Sequence, residues 1–227
     1  RVDPIRFYEK IFTSLQNYST NLNNFWRSTM KRIFITALLG LAFSLVASGY
    51  NFRTVIIDPG HGGHDKGGQW GRVYEKHLAL DTAVRLEAHL KKMGYNTILT
   101  RRSDYFVSLP GRMQMANKYR NAIFVSIHYN YTWKQQVSGI ETFYNNQQSH
   151  DLAKDVHKGM MGRVKVVDRQ VKYARYYVIR NTRMPAILVE GGFVSNSNER
   201  SRMKTAWFRD AIARGIADGI QNFRRGN

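Results

Sequence analysis

The sequence predicts an α/β domain, a largely parallel sheet with helices on both faces. Three observations lead there. Short β-branched runs alternate with amphipathic stretches from Arg53 onward, the pattern of strands joined by crossover helices. The strand-like runs Thr54–Asp58 and Ala122–His128 are nearly continuous in apolar residues, as strands covered on both faces are. Polar clusters follow these runs directly, where the carboxyl ends of parallel strands place binding sites.

Thr54–Asp58 reads as a buried strand stopped by Pro59-Gly60. A helix is expected over Glu75–Lys92, with Leu78, Ala79, Thr82, Ala83, Leu86, Leu90 and Met93 along one face. Gly94 stands where a C-terminal cap belongs. Asn96–Thr100 is the next strand, Ser108–Tyr119 a second helix, and Ala122–His128 a central strand. Gly139–Tyr144 is a further strand, followed by a helix over Ser149–Met160. Tyr176–Ile179 and Ala186–Glu190 are expected as two more strands. A closing helix over Thr205–Phe223 turns Ile212, Ile216, Ile220 and Phe223 inward. No repeat or low-complexity linker interrupts residues 51–227, which read as one domain.

A balance of 43% hydrophobic and 22% charged residues excludes a disordered chain. The absence of cysteine excludes disulfides and thiolate ligands, so any metal site must use imidazole and carboxylate. The formal charge of +19 favours a polyanionic partner. Residues 51–227 keep 29 Lys+Arg against 14 Asp+Glu, so this character belongs to the domain itself. The basic residues are scattered, with no arginine–aromatic stripe for stacking bases, which argues against nucleic acid.

Residues 30–50 read as an export signal. Lys31 and Arg32 precede an uncharged run of 15 residues, Ile33–Ala47, and small residues follow at Ala47, Ser48 and Gly49. The run is shorter than the ~20 residues of a spanning helix, which favours a cleaved signal peptide over a membrane anchor. Residues 1–29 are then expected to be an upstream extension outside the native protein, with translation expected to start at Met30. The expected location is the cell envelope, periplasmic or extracellular, with membrane contact only through the N-terminal segment.

His61 and His128 each follow a strongly apolar strand. Two such histidines and a carboxylate that reaches them match the His₂-carboxylate pattern that leaves a zinc ion one open position. Glu75 is the best acidic partner, because the glycine-rich loop from Gly62 to Gly71 can fold its helix start back onto His61. Spacing alone leaves open that Glu75 only favours the helix dipole, worth ~0.3–1 kcal/mol. Glu190 ends the run Ala-Ile-Leu-Val-Glu and enters Gly191-Gly192. A carboxylate there is costly unless paired, so it is either a general base or half of a buried ion pair with Arg180 or Arg183. The Asp58–Gly63 loop lacks the Gly-Lys-Ser/Thr ending of a phosphate-binding loop. No HExxH helix, Gly-x-Ser-x-Gly elbow or cysteine nucleophile competes.

Six segments together resemble the zinc-dependent N-acetylmuramoyl-L-alanine amidases, the amidase 3 family. They are VIIDPGHGG (55–63), YEKHLAL (74–80), TRRSDYFVSLPGR (100–112), FVSIHYN (124–130), SGIETFYN (138–145) and PAILVEGGFVSN (185–196). The resemblance spans 53–223. It implies zinc held by His61, Glu75 and His128, with Glu190 as the catalytic glutamate. Asn130, Arg101 and Arg112 match recurrent polar positions, expected to be supporting or structural. The implied substrate is peptidoglycan, cut at the amide between the lactyl group of N-acetylmuramic acid and L-alanine of the stem peptide. The implied reaction is direct attack by water, with no covalent intermediate. Anionic wall polymers are further expected partners, and the resemblance leaves room for an activator protein. A zinc peptidase acting within the stem peptide and a non-catalytic wall-binding module are the alternatives. The sequence departs from the family in running His-Asp-Lys-Gly-Gly after Gly63, and in placing Gln170 where a glycine is common. The stretch from Asn130 to Gly139 is too short for the long regulatory helix of some relatives.

Overall fold

The computed structural model describes Tyr50–Gly226. The expected extension, residues 1–29, and all but Tyr50 of the expected export signal lie outside these described residues. Among the described residues no helix is long and apolar enough to cross a membrane.

The main sheet has six strands: β1 (Thr54–Pro59), β4 (Asn96–Leu99), β5 (Ala122–Asn130), β6 (Ile140–Tyr144), β7 (Asp168–Tyr173) and β8 (Ala186–Phe193). Their spatial order is β4-β1-β5-β8-β6-β7. The pairings of β1 with β4 and β5, of β5 with β8, and of β6 with β7 are parallel. Only β6 against β8 is antiparallel. The expected largely parallel sheet is therefore present, with β6 and β7 running against the other four. Two very short strands, β2 (Gln69–Trp70) and β3 (Val73–Tyr74), form a separate hairpin inside the glycine-rich loop.

Strand alternation sorts the side chains into two cores. Val55, Ile57, Ile123, Val125, Ile127, Ile187 and Val189 face one side. There they meet three long helices, α1 (Glu75–Lys92), α3 (Gln147–Met161) and α6 (Ala206–Arg225). Ile56, Phe124, Ala186 and Leu188 face the other. That smaller core is closed by two short helices, α2 (Leu109–Ala116) and α4 (Tyr177–Arg180). Helices cover both faces as expected, but unequally, and the thinly covered face is where the site opens.

Several local expectations need correction. Tyr176–Ile179, expected as a strand, is mostly the single turn α4. Its apolar pair Val178–Ile179 packs into the smaller core from a helix rather than from a sheet. The true strand nearby is β7, whose sequence DRQVKY is polar because it lies at the sheet edge. Helix α5 (Ser197–Met203) was not expected; Asn196 caps it by accepting from the Glu199 N–H. Ser108 likewise caps α2 rather than joining it.

Helices α3 and α6 cross with backbones in near contact at Gly159, Gly215 and Gly219. A Cβ at Gly219 would lie 2.4 Å from the Val156 Cα, on backbone that cannot swing aside. Gly219→Ala gains roughly 0.8–1 kcal/mol in helix propensity, yet must force two buried helices apart, which costs about 1–3 kcal/mol or more. We therefore expect a net loss of stability, measured as a lower urea midpoint. A midpoint raised by the substitution would show that the crossing is loosely packed.

Candidate active site

The same alternation that builds the two cores aligns the polar residues. His128 on β5 is level with Glu190 on β8, and Glu190 with Glu141 on β6. One strand step below, Asp58 on β1 is level with Ser126 on β5. All lie on the face carrying the smaller core, at the carboxyl ends of the parallel strands.

Below the row, Asp58 anchors the floor. It is buried, and accepts from Thr100 Oγ1 (2.6 Å), Ser126 Oγ (2.7 Å) and Arg112 (2.8 Å). Arg112 also donates to the carbonyls of Pro59, His61 and Val107. Arg101, fully buried, donates to the carbonyls of Pro59, Gly60, Lys76 and Ser103. These two guanidiniums satisfy the carbonyls of a loop that cannot form regular structure. They hold His61 at φ 60°, a left-handed conformation unusual for a residue with a Cβ. Arg112→Ala should cost about 3–5 kcal/mol by leaving Asp58 buried without its cation. Chemical denaturation measures this; a loss under 1 kcal/mol would mean the loop carbonyls and Asp58 find water instead.

The glycine-rich loop does fold the start of α1 onto His61. Glu75 Oε1 lies 3.1 Å from His61 Nε2 and 2.8 Å from His128 Nδ1. The two rings sit 4.9 Å apart, nearly perpendicular. One ligand atom from each of the three residues lies within 4.8 Å of the others, so the group could hold a metal ion. Glu75 also accepts from the backbone N–H groups of Gly68 (2.6 Å) and Tyr129 (3.0 Å). A Cβ at Gly67 would lie 2.5 Å from both Glu75 and His61, so the loop packs directly on the cluster. Burial alone would raise the Glu75 carboxyl, but the hydrogen bonds and charges of His128 and His61 outweigh it and hold it below the usual carboxylate range. Burial opposes a proton on His61 too, and the contacts of Glu75 and then Asp65 outweigh that, so its pKa rises.

Asp65, given no role from the sequence, accepts a hydrogen bond from His61 Nδ1 at 2.9 Å. This fixes the ring so that Nε2 faces Glu75, the usual outer-shell device for a metal-binding histidine. Its position four residues after His61 was the only signal available.

Glu190 forms no ion pair with Arg180 or Arg183. It is buried, and its Oε2 has no hydrogen-bond partner. Burial, then the negative charges of Glu75 and Glu141, pushes its carboxyl well above the usual range. The Glu141 beside it is by contrast fully paired. Asn130 donates to one oxygen (2.7 Å), and Arg169 (3.1 Å) and Lys172 (2.5 Å) to the other. Arg169 and Lys172 are three residues apart and would face opposite sides of a regular strand. An irregularity opposite Glu141, with Gln170 at φ 72°, brings both to the same carboxylate. Gln170 thus takes the left-handed conformation that glycine adopts most readily.

Beside His61 and His128 opens a cavity of about 420 Å³ whose walls include Phe106, Leu109, Tyr176 and Tyr177.

Residues 55–222 match the N-acetylmuramoyl-L-alanine amidase family. The chain belongs to that family. It is 35% identical over 177 residues to the N-acetylmuramoyl-L-alanine amidase LytC of Bacillus subtilis, covering 76% of this chain and 36% of LytC. The chain thus spans about a third of the length of that relative. Among solved structures, the catalytic domain of the amidase CwlV from Bacillus (Paenibacillus) polymyxa superposes with a TM-score of 0.73 at 36% identity, covering 76% of this chain and 98% of that domain. The CwlD amidase of Clostridioides difficile, solved in complex with the GerS lipoprotein, gives 0.72 at 28% identity, covering 75% and 98%. The family's fold, a single α/β domain on a mostly parallel sheet, is the one described above.

Proposed function

We propose that the chain is a zinc-dependent peptidoglycan hydrolase that cuts the amide between N-acetylmuramic acid and L-alanine of the stem peptide. The observation that carries this is Glu190: a buried carboxyl without a partner, level with His128 and beside a cluster able to hold a metal. Family membership and the likeness to LytC and CwlV support the bond and the substrate.

Two imidazoles and one carboxylate, His61, His128 and Glu75, suit zinc in number and chemistry, and leave a coordination position for chemistry. When bound, zinc supplies Lewis acidity, polarising a carbonyl and acidifying water. The remaining work falls to the chain. Glu190, raised in proton affinity by its surroundings, accepts a proton from the attacking water and returns it to the departing alanine nitrogen. Asp65 keeps His61 oriented, while Arg101 and Arg112 hold the loop that carries it. Glu141, held in place by Arg169 and Lys172, stands level with Glu190 on the neighbouring strand.

The place of action is the cell envelope, reached through the segment 30–50, and the net positive charge assists adsorption to anionic wall polymers, more weakly as salt rises. The solved CwlD–GerS complex supports a partner protein for this fold as well. The deciding experiment is digestion of purified peptidoglycan with and without a chelator, followed by mass identification of the new ends. Free glycan strands with intact stem peptides, lost on chelation, are expected. Cuts within the stem peptide would establish a peptidase instead, and no cuts at all a binding module.

A further inference from the structure

The cavity beside the metal-ligating cluster has a composition that selects one half of the substrate. Its floor contains Asp58, His61, His128 and Arg112. Its walls come from two segments on the thinly covered face: Phe106–Leu109, leading into α2, and Tyr176–Val178, at the start of α4. Large apolar side chains that remain half exposed concentrate here. Phe106 is 45% exposed, Leu109 51%, Tyr176 44% and Tyr177 39%.

These rings are held in place. Phe106 packs against His64 with ring centroids 4.3 Å apart, and its backbone abuts Gly63. Tyr176 stands edge-on to Phe143 at 5.0 Å. Fixed, half-exposed aromatic rings at the mouth of a site lose little entropy on binding.

The cavity walls also offer no lysine or arginine free to pair with a carboxylate. Arg112 is the one Lys or Arg among its lining residues, and it is spent on Asp58 and three carbonyls. A stem peptide carries carboxylates, which such walls would desolvate without pairing. The glycan half carries none once its lactyl carboxyl is tied up in the scissile amide. Its pyranose rings present C–H faces that pack on aromatic faces, with hydroxyls left for the tyrosine O–H groups.

We infer that this aromatic cavity seats the pyranose ring of the muramyl sugar, so that the glycan strand lies on the α2–α4 side of the metal cluster. The inference rests on the amidase reading, and makes Phe106, Leu109, Tyr176 and Tyr177 determinants of glycan recognition.

The test compares two substrates that share the scissile amide: a glycan-linked muropeptide, and a D-lactyl-peptide with the same stem but no sugar. Each is given to the zinc-loaded enzyme and to Phe106→Ala and Tyr176→Ala, with zinc content measured for all three. For both variants kcat/KM on the muropeptide should fall tenfold or more, mainly through KM, and on the sugarless substrate less than twofold. Tyr176 lies away from the ligand loop, so its variant is decisive even where Phe106→Ala loosens that loop. Equal losses on both substrates would assign the cavity to the peptide, and unchanged kcat/KM on both would remove it from binding; either overturns the inference. Failure of the parent enzyme to cut either substrate would instead overturn the amidase reading.

Discussion

Glu190→Gln should lower amide cleavage by roughly 10²–10⁴-fold, the range a positioned general base contributes, while zinc content stays that of the parent. The amide keeps the shape of the side chain but neither accepts a proton nor carries charge. Its effect on stability should be small and of either sign, because Glu190 Oε2 has no partner to lose and burial already disfavours its charged form. Muropeptide release followed by mass analysis, with metal content from elemental analysis, checks both halves. Turnover within tenfold of the parent would remove Glu190 from the proton-transfer role. Loss of zinc along with activity would make it part of the metal site instead.

Glu75→Ala is the second large effect, and it should abolish zinc binding and hydrolysis together. Glu75 is the hub of the cluster. His61, His128, the Gly68 N–H and the Tyr129 N–H all converge on its two oxygens. Without it, two imidazoles remain, too few for a zinc site of the usual kind, and two backbone donors lose their acceptor at a cost of about 1–3 kcal/mol each. A lower thermal midpoint in the metal-free protein is therefore expected as well. Glu75→Gln separates the two contributions in part: its single carbonyl oxygen can accept from only one of the two backbone donors, which Glu75 holds on different oxygens, so it should recover some of the stability but not full zinc affinity. Stoichiometric zinc in Glu75→Ala would reduce Glu75 to a residue that complements the helix dipole.

The histidines were legible because a polar residue directly after an apolar strand run has one place to go in a parallel sheet. Glu75 was only half legible. It stands 14 positions from His61 and 53 from His128 in the chain, and no periodicity relates it to either. The loop that brings it back is held by Arg101 and Arg112, whose contacts with the loop are to carbonyls, and carbonyls leave no mark in a sequence. The polar edge strand β7 was missed for a related reason. Its residues answer to Glu141 and to solvent rather than to a core, so they show no apolar alternation.

By itself the sequence determined the class of fold, the buried strands and long helices, and the two histidines and terminal glutamate at strand ends. Each of these follows from local periodicity, which depends on the backbone repeat alone. Only the tertiary structure decided that Glu75 meets both histidines, that Asp65 orients His61, and that Glu190 stands without a counter-ion beside a fully paired Glu141. Those are matters of register and loop closure. They are fixed by how strands align across the sheet and by which buried charges find partners, and neither is encoded in the spacing of residues along the chain.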